Sequence, residues 1–271
     1  MPTIKADENP DLVNEMIQSV LAEPVDDEIE DQNDEIVVPP ETVFELPAGL
    51  SIPGSPLQTE IEVRELTGRD EQIISRAKTP SAISEAILLR GIVRVGDTES
   101  SKELLNAMLS GDRDFALLKV FSVTFGSEIG LTRYCPGCES EVDITIDVDN
   151  DVPVKKLDDP SEVYFEVKGK AGVIRATLPT GVTQKALQEA GNKTYAELST
   201  ILLANTVIEV NGRPVLGEAD VLALSIKDRR TVAEEIAKRT PGPRLQDVVK
   251  NCPECETELE VPLSLAALFQ F

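Results

Sequence analysis

The chain alternates between stretches with a two-residue apolar period and stretches with a helical one. Thr59-Glu60-Ile61-Glu62-Val63-Arg64-Glu65-Leu66 switches between polar and apolar at every step, the pattern of a half-buried strand. Val43-Phe44-Glu45-Leu46 precedes it across a Pro/Gly/Ser loop and supplies the other arm of a hairpin. Thr67 with Asp70 three residues on forms a capping box and predicts a short helix to about Ala77. Thr79-Pro80 opens a second helix that runs into Leu88-Leu89. A strand over 92–95 and a helix over 101–109 follow. Asp112 then reads as the cap of a helix that places Phe115, Leu118, Ser122 and Phe125 on one face, and an alternating strand over 142–148 closes the stretch.

The plan then recurs. A hairpin is predicted over 164–167 and 173–178, with helices near 183–190 and 194–205. A strand over 207–210 runs into Asn211-Gly212, a strong tight-turn signal. Helices near 218–225 and 228–239 follow, the latter capped by Asp228 and ended by Pro241-Gly242-Pro243. Matched segments stand in the same order in both halves: Thr67-Gly68 with Thr180-Gly181, the 87–97 stretch with 201–212, and Asp112-Arg113 with Asp228-Arg229. Two copies of one unit are expected, over 41–148 and 162–271, joined by an acidic, proline-containing linker over 149–161.

All four cysteines fall at equivalent places in this repeat, as Cys135-Pro136-Gly137-Cys138 and Cys252-Pro253-Glu254-Cys255. Each knuckle runs into an alternating segment. Two such pairs match the ligand set of a four-cysteine zinc site. If the units face one another about a pseudo-two-fold axis, Cys135, Cys138, Cys252 and Cys255 share one zinc ion that staples the halves. The expected fold is α+β: two tandem pseudo-repeats, each a small antiparallel sheet carrying helices. A rival reading is thiol–disulfide exchange with Cys135 and Cys252 as nucleophiles. It wants each first cysteine at a helix N-terminus, whereas both motifs lead into strands.

Composition sharpens this. The net charge of −23 opposes binding to phosphate backbones or anionic membranes, so a zinc-ribbon nucleic-acid adaptor is the weakest reading. No apolar run is long enough to span a membrane and the start lacks a signal-peptide core, so a reducing cytosol is expected, where paired cysteines bind metal more often than they form disulfides. There is no His, and no phosphate-binding loop or nucleophile elbow, so no catalytic constellation emerges. Residues 1–40 hold twelve acidic residues and one Lys, the composition of a disordered acidic arm. Within it Asn9 and Pro10 can start an amphipathic helix with Leu12, Met16, Val20 and Leu21 on one stripe, a candidate partner-binding segment. The terminal Leu268, Phe269 and Phe271 either plug the chain's own core or anchor a partner.

Leu46-Pro47-Ala48-Gly49, the Glu-Val-Arg-Glu-Leu-Thr-Gly segment at 62–68, the Gly-Asp-Arg-Asp helix start at 111–114 and the Cys-Pro-x-Cys knuckle stand in an order that resembles the baseplate hub and assembly proteins of contractile-tailed, T-even-like phages. The resemblance covers 41–148, with 162–271 as a fainter copy. It implies a non-enzymatic role in building or forming the centre of a tail baseplate, with other baseplate proteins as partners. It also implies a place in the host cytoplasm during assembly and in the virion tail.

Overall fold

The computed structural model describes residues 42–52 and 54–269, all within one compact unit. The arm helix with Leu12, Met16 and Val20, and Phe271, lie outside the described residues. Chain order begins with β1 (Val43–Leu50) and β2 (Gln58–Val63), followed by α1 (Gly68–Ile74) and α2 (Pro80–Gly91). Then come β3 (Ile92–Val95), β4 (Thr98–Glu99), α3 (Lys102–Ala107) and α4 (Ser110–Phe125). A long hairpin of β5 (Glu128–Cys135) and β6 (Ser140–Asp147) carries the first knuckle in its turn. Beyond β7 (Val154–Lys155) and a 3₁₀ turn come β8 (Tyr164–Gly169), β9 (Gly172–Thr177), α5 (Gly181–Glu189) and α6 (Tyr195–Thr206). Next are β10 (Val207–Val210), β11 (Arg213–Pro214), α7 (Glu218–Leu222) and α8 (Ile226–Arg239). Last are β12 (Gly242–Pro243), β13 (Val249–Asn251), β14 (Glu258–Glu260) and the short α9 (Leu265–Leu268).

The result is a mixed α/β fold with several small antiparallel sheets. One four-stranded sheet runs β1-β2-β3-β4, and the other runs β8-β9-β10-β11 with the same neighbours in the same order. Local chemistry explains most boundaries. Asp70 accepts from the Thr67 amide and hydroxyl, closing the predicted capping box, and its pairing with Arg64 holds its carboxyl far below the ordinary range. The Thr79 and Ser101 hydroxyls cap α2 and α3. Asn211 and Gly212 both have positive φ, 50° and 82°, which gives the two-residue β10–β11 turn the twist its strands need.

Two aliphatic cores fill the fold. The first gathers Ile61, Val63, Leu88, Leu105, Met108 and Leu118 under the first sheet, and the second gathers Ile174, Leu178, Leu203, Val207, Val232 and Ile236. The first core does not close on its own residues. Val248, Leu259, Val261, Leu263 and Phe269 from the carboxy-terminal segment belong to it. Phe269 stacks edge-on against Phe121 at 5.7 Å between centroids. The stretch 149–161 is also more than a linker: Val152 is buried, and Val154 and Lys155 pair with Pro243 and Gly242.

Asp112 and Asp228 are not helix caps, contrary to the sequence expectation. Leu109 and Ser225 hold the cap positions, and each Asp lies three residues on, in the first turn, reaching out of its helix to a hairpin. Asp112 accepts from the Ala48 amide at 2.9 Å, and Asp228 accepts from Lys170 at 2.9 Å and Ala171 at 3.3 Å. The arginine after each Asp turns the other way, onto the preceding helix. Arg113 donates to the Leu105 carbonyl and Arg229 to the Val221 carbonyl, in both cases eight residues back. Each Asp-Arg pair thus braces a helix start between a hairpin and the helix before it.

The two carboxylates differ in surroundings. Two backbone amides and Ser225 hold the Asp228 carboxyl below its ordinary value, led by the hydrogen bond from Lys170. Asp112 is fully buried with one oxygen unpartnered, and burial pushes its carboxyl up from 3.8 to about 7 against the pull of the Ala48 and Gly49 amides. A folded carboxyl that holds its proton more tightly than the unfolded one contributes most at low pH. Its contribution falls as pH rises from about 4 toward about 7 and is flat beyond. Asp112→Asn keeps an acceptor for Ala48 and removes the buried charge. Urea unfolding at a series of pH values is expected to show the variant gaining on the wild type across that window. A gap that does not change with pH contradicts a buried, ionising carboxyl.

Candidate metal centre

The knuckles are built by two strand pairs. Cys135 ends β5 and pairs with Ser140 at the start of β6, so the first knuckle is the hairpin turn itself. The second is closed by the Cys252 amide donating to the Thr257 carbonyl and the Glu256 amide donating to the Cys252 carbonyl. In both, the Glu after the second cysteine adopts a left-handed backbone, φ 55° at Glu139 and 61° at Glu256, which turns the chain into the following strand. Side chains rarely sit there without strain, and its occurrence at matching places marks one turn used twice.

All four sulfurs converge, lying within 4.8 Å of one another. Cys135 Sγ is 3.5 Å from Cys255 Sγ, and Cys138 Sγ is 3.8 Å from Cys252 Sγ. The first cysteine of each knuckle therefore meets the second of the other. Thiolates around a zinc ion at ~2.3 Å stand ~3.8 Å apart along a tetrahedral edge, so the donor set fits a closed four-sulfur site. These separations are too long for disulfide bonds, and the cysteines are free. β6 matches the strand expected over 142–148, whereas β5, whose alternating signal lies in Ile129 and Leu131, was not expected.

Electrostatics favours a cation at this point. Hydrogen bonding by Thr257, from its hydroxyl and its backbone, holds the Cys255 thiol down at about 6. The Ser140 hydroxyl, 3.1 Å away, pulls Cys138 down too, but burial and the three neighbouring thiols push it up to about 12. Burial raises Cys252. Four crowded thiols thus resist ionising together unless a positive ion offsets their charge. The hydroxyls that tune them were visible in the sequence as the repeated Cys-Glu-Ser and Cys-Glu-Thr. Cys135 and Cys252 are buried at strand ends, not at helix N-termini, so neither has the setting that activates a nucleophilic thiol.

The T4 bacteriophage base plate protein family matches residues 40–211, from the first hairpin through the turn after β10. The chain belongs to this family. The match takes in the first knuckle, the first four-stranded sheet and β8 to β10 of the second, and stops ahead of the second knuckle. Neither a curated protein nor a solved structure matches the chain. Membership supports a structural protein of the phage baseplate, with other baseplate proteins as its partners and the virion tail as its setting. Among the described residues no helix is long and apolar enough to cross a membrane.

Gly137 is where the knuckles touch. A Cβ there would lie 2.1 Å from Thr257 Oγ1 and 3.0 Å from Cys255 Sγ. Gly137→Ala is therefore expected to push the second knuckle away and cost on the order of 1–3 kcal/mol in urea unfolding. Glu139→Gly and Glu256→Gly, which suit the left-handed backbone, are expected to be neutral or stabilising. Equal midpoints for Gly137→Ala and wild type would show that the knuckles do not meet.

Proposed function

We propose that this protein is a hub component or assembly chaperone of a contractile-tail baseplate, acting through protein–protein contacts on a scaffold of two tandem copies of one unit stapled by a single structural zinc. Family membership carries the baseplate role. The convergence of four sulfurs from two distant knuckles supports the staple. The shared element order, the two Asp-Arg braces and the paired left-handed glutamates support the duplication. Cys135, Cys138, Cys252 and Cys255 are the ligands, and with no histidine in the chain the donors are all sulfur, which suits zinc. When bound, the ion supplies folding free energy and no chemistry, since four protein ligands leave it no open position. The acidic arm, with Leu12, Met16 and Val20, is the partner-binding segment of this reading.

Native mass spectrometry of the protein from the cells that make it tests these points together. The expected spectrum shows one zinc per chain with tail proteins attached, and deletion of residues 1–40 strips the partners while keeping the zinc. Cys→Ser at any of the four positions is expected to lose the ion and lower the melting temperature by several degrees or more. Zinc retained in both Cys135→Ser and Cys252→Ser would overturn the staple. A dependence on Cys135 alone, with no metal, would favour thiol–disulfide exchange instead.

A further inference from the structure

Among the described residues the two halves are joined by a contact that one of them makes and the other leaves open. In the contact that is made, the start of α5 lies on α3 and α4. The Ser110 amide donates to the Pro179 carbonyl, the Gly181 amide to the Met108 carbonyl, and Leu109 bridges Thr180. Gln184 is the polar key: its Oε1 accepts from Arg113 Nε at 2.8 Å and its Nε2 donates to Asp114 Oδ1 at 2.7 Å. Gly181 lets the helices approach this closely, for a Cβ there would lie 2.4 Å from the Leu105 carbonyl and 2.8 Å from the Arg113 guanidinium.

Each partner in this contact has a counterpart that lacks one. The counterpart of α5 is α1, which also opens with Thr-Gly. Among the described residues Gly68 has no atom within 4 Å of where its Cβ would be, and it needs no positive φ, so nothing described calls for a glycine there. The counterpart of the α3–α4 face is the face of α7 and α8. There Leu222 and Ile226, in the places of Asn106 and Ser110, are 60% and 73% exposed. Beside them an open groove of about 410 Å³ runs between α6 and α8, lined by Tyr195, Arg230, Ala233, Glu234 and Ala237. The matching groove of the first half, beside Asp114 and Leu117, is lined in addition by Gln188 of α5 and by Leu265 and Phe269.

The charges of the two open faces agree. Gln184 corresponds to Glu71, and Asp114 to Arg230, both exposed. The neutral-to-acid contact inside the chain becomes an acid-to-base contact between the open faces, with Arg229 in the place of Arg113. We propose that a second copy of this chain docks head to tail, its α1 seated on the α6–α7–α8 face of the first, with Gly68 against the Val221 carbonyl and Glu71 between Arg229 and Arg230. The proposal rests on the reading of the halves as copies of one unit. Because the surfaces differ, each docked copy presents a further free face, so association continues until a ring closes or a filament grows.

Sedimentation of the full-length, zinc-loaded chain over a concentration series tests this. The wild type is expected to form species larger than a monomer. Glu71→Arg and Arg230→Glu are each expected to weaken association by about tenfold or more, and the double reversal to recover it. Gly68→Ala, with open space around it, is expected to weaken association while leaving thermal unfolding unchanged. Zinc content and melting temperature measured on the same samples report on the stapled fold, so they separate its failure from the failure of the docking face. A wild type that stays monomeric with its zinc bound overturns the docking alone. So do single variants that associate as the wild type does, and a double reversal that recovers nothing.

Discussion

The first core cannot close until the end of the chain returns to it. Its sheet and helices are laid down early in the sequence, yet Val248, Leu259, Val261, Leu263 and Phe269 fill its remaining side. With four per cent aromatic residues, the interior depends on many well-fitted aliphatic contacts, so an unfilled side would leave a large apolar surface in water. The returning segment has little secondary structure to stiffen it, since β13, β14 and α9 are all short. It is held where the knuckles meet. The sulfur cluster sits at the point where a long closure of the chain has to be fixed, which is where a crosslink removes most entropy from the unfolded state.

The same constraint explains why the halves are not independent. β7 pairs with β12 across the chain, and Gly111 lies so close to Pro241 that a Cβ would stand 1.7 Å from its carbonyl oxygen. Together with the α5 contact, these tie the start of α4 to both ends of the second half. The chain becomes one body because its second knuckle and its carboxy-terminal segment complete the first core. For a component of a large assembly this arrangement is useful: the interior is settled within the chain, and the acidic outer surface remains for partners.

Local features were legible in the sequence and long-range ones were not. The capping box at Thr67 and Asp70, the Pro80 helix start and the Asn211-Gly212 turn are set by neighbours a few residues apart, and their signals survived intact. The knuckles were legible because cysteine pairs carry chemistry regardless of context. Asp112 and Asp228 misled because an acidic residue near a helix start suits a cap. Only the folded chain brings Ala48 or Lys170 within reach of them. The strands β7 and β12 are two residues each, too short to carry any period. Which core the terminal segment would join could not be read from alternation, because Leu259, Val261 and Leu263 announce a buried face without saying against what.

X-ray absorption at the zinc edge of the purified full-length protein tests the central claim most directly. The account predicts a single shell of four sulfurs at ~2.3 Å, which both knuckles together can supply and neither can alone. A shell of two sulfurs completed by oxygen, or zinc bridging separate molecules, would contradict it.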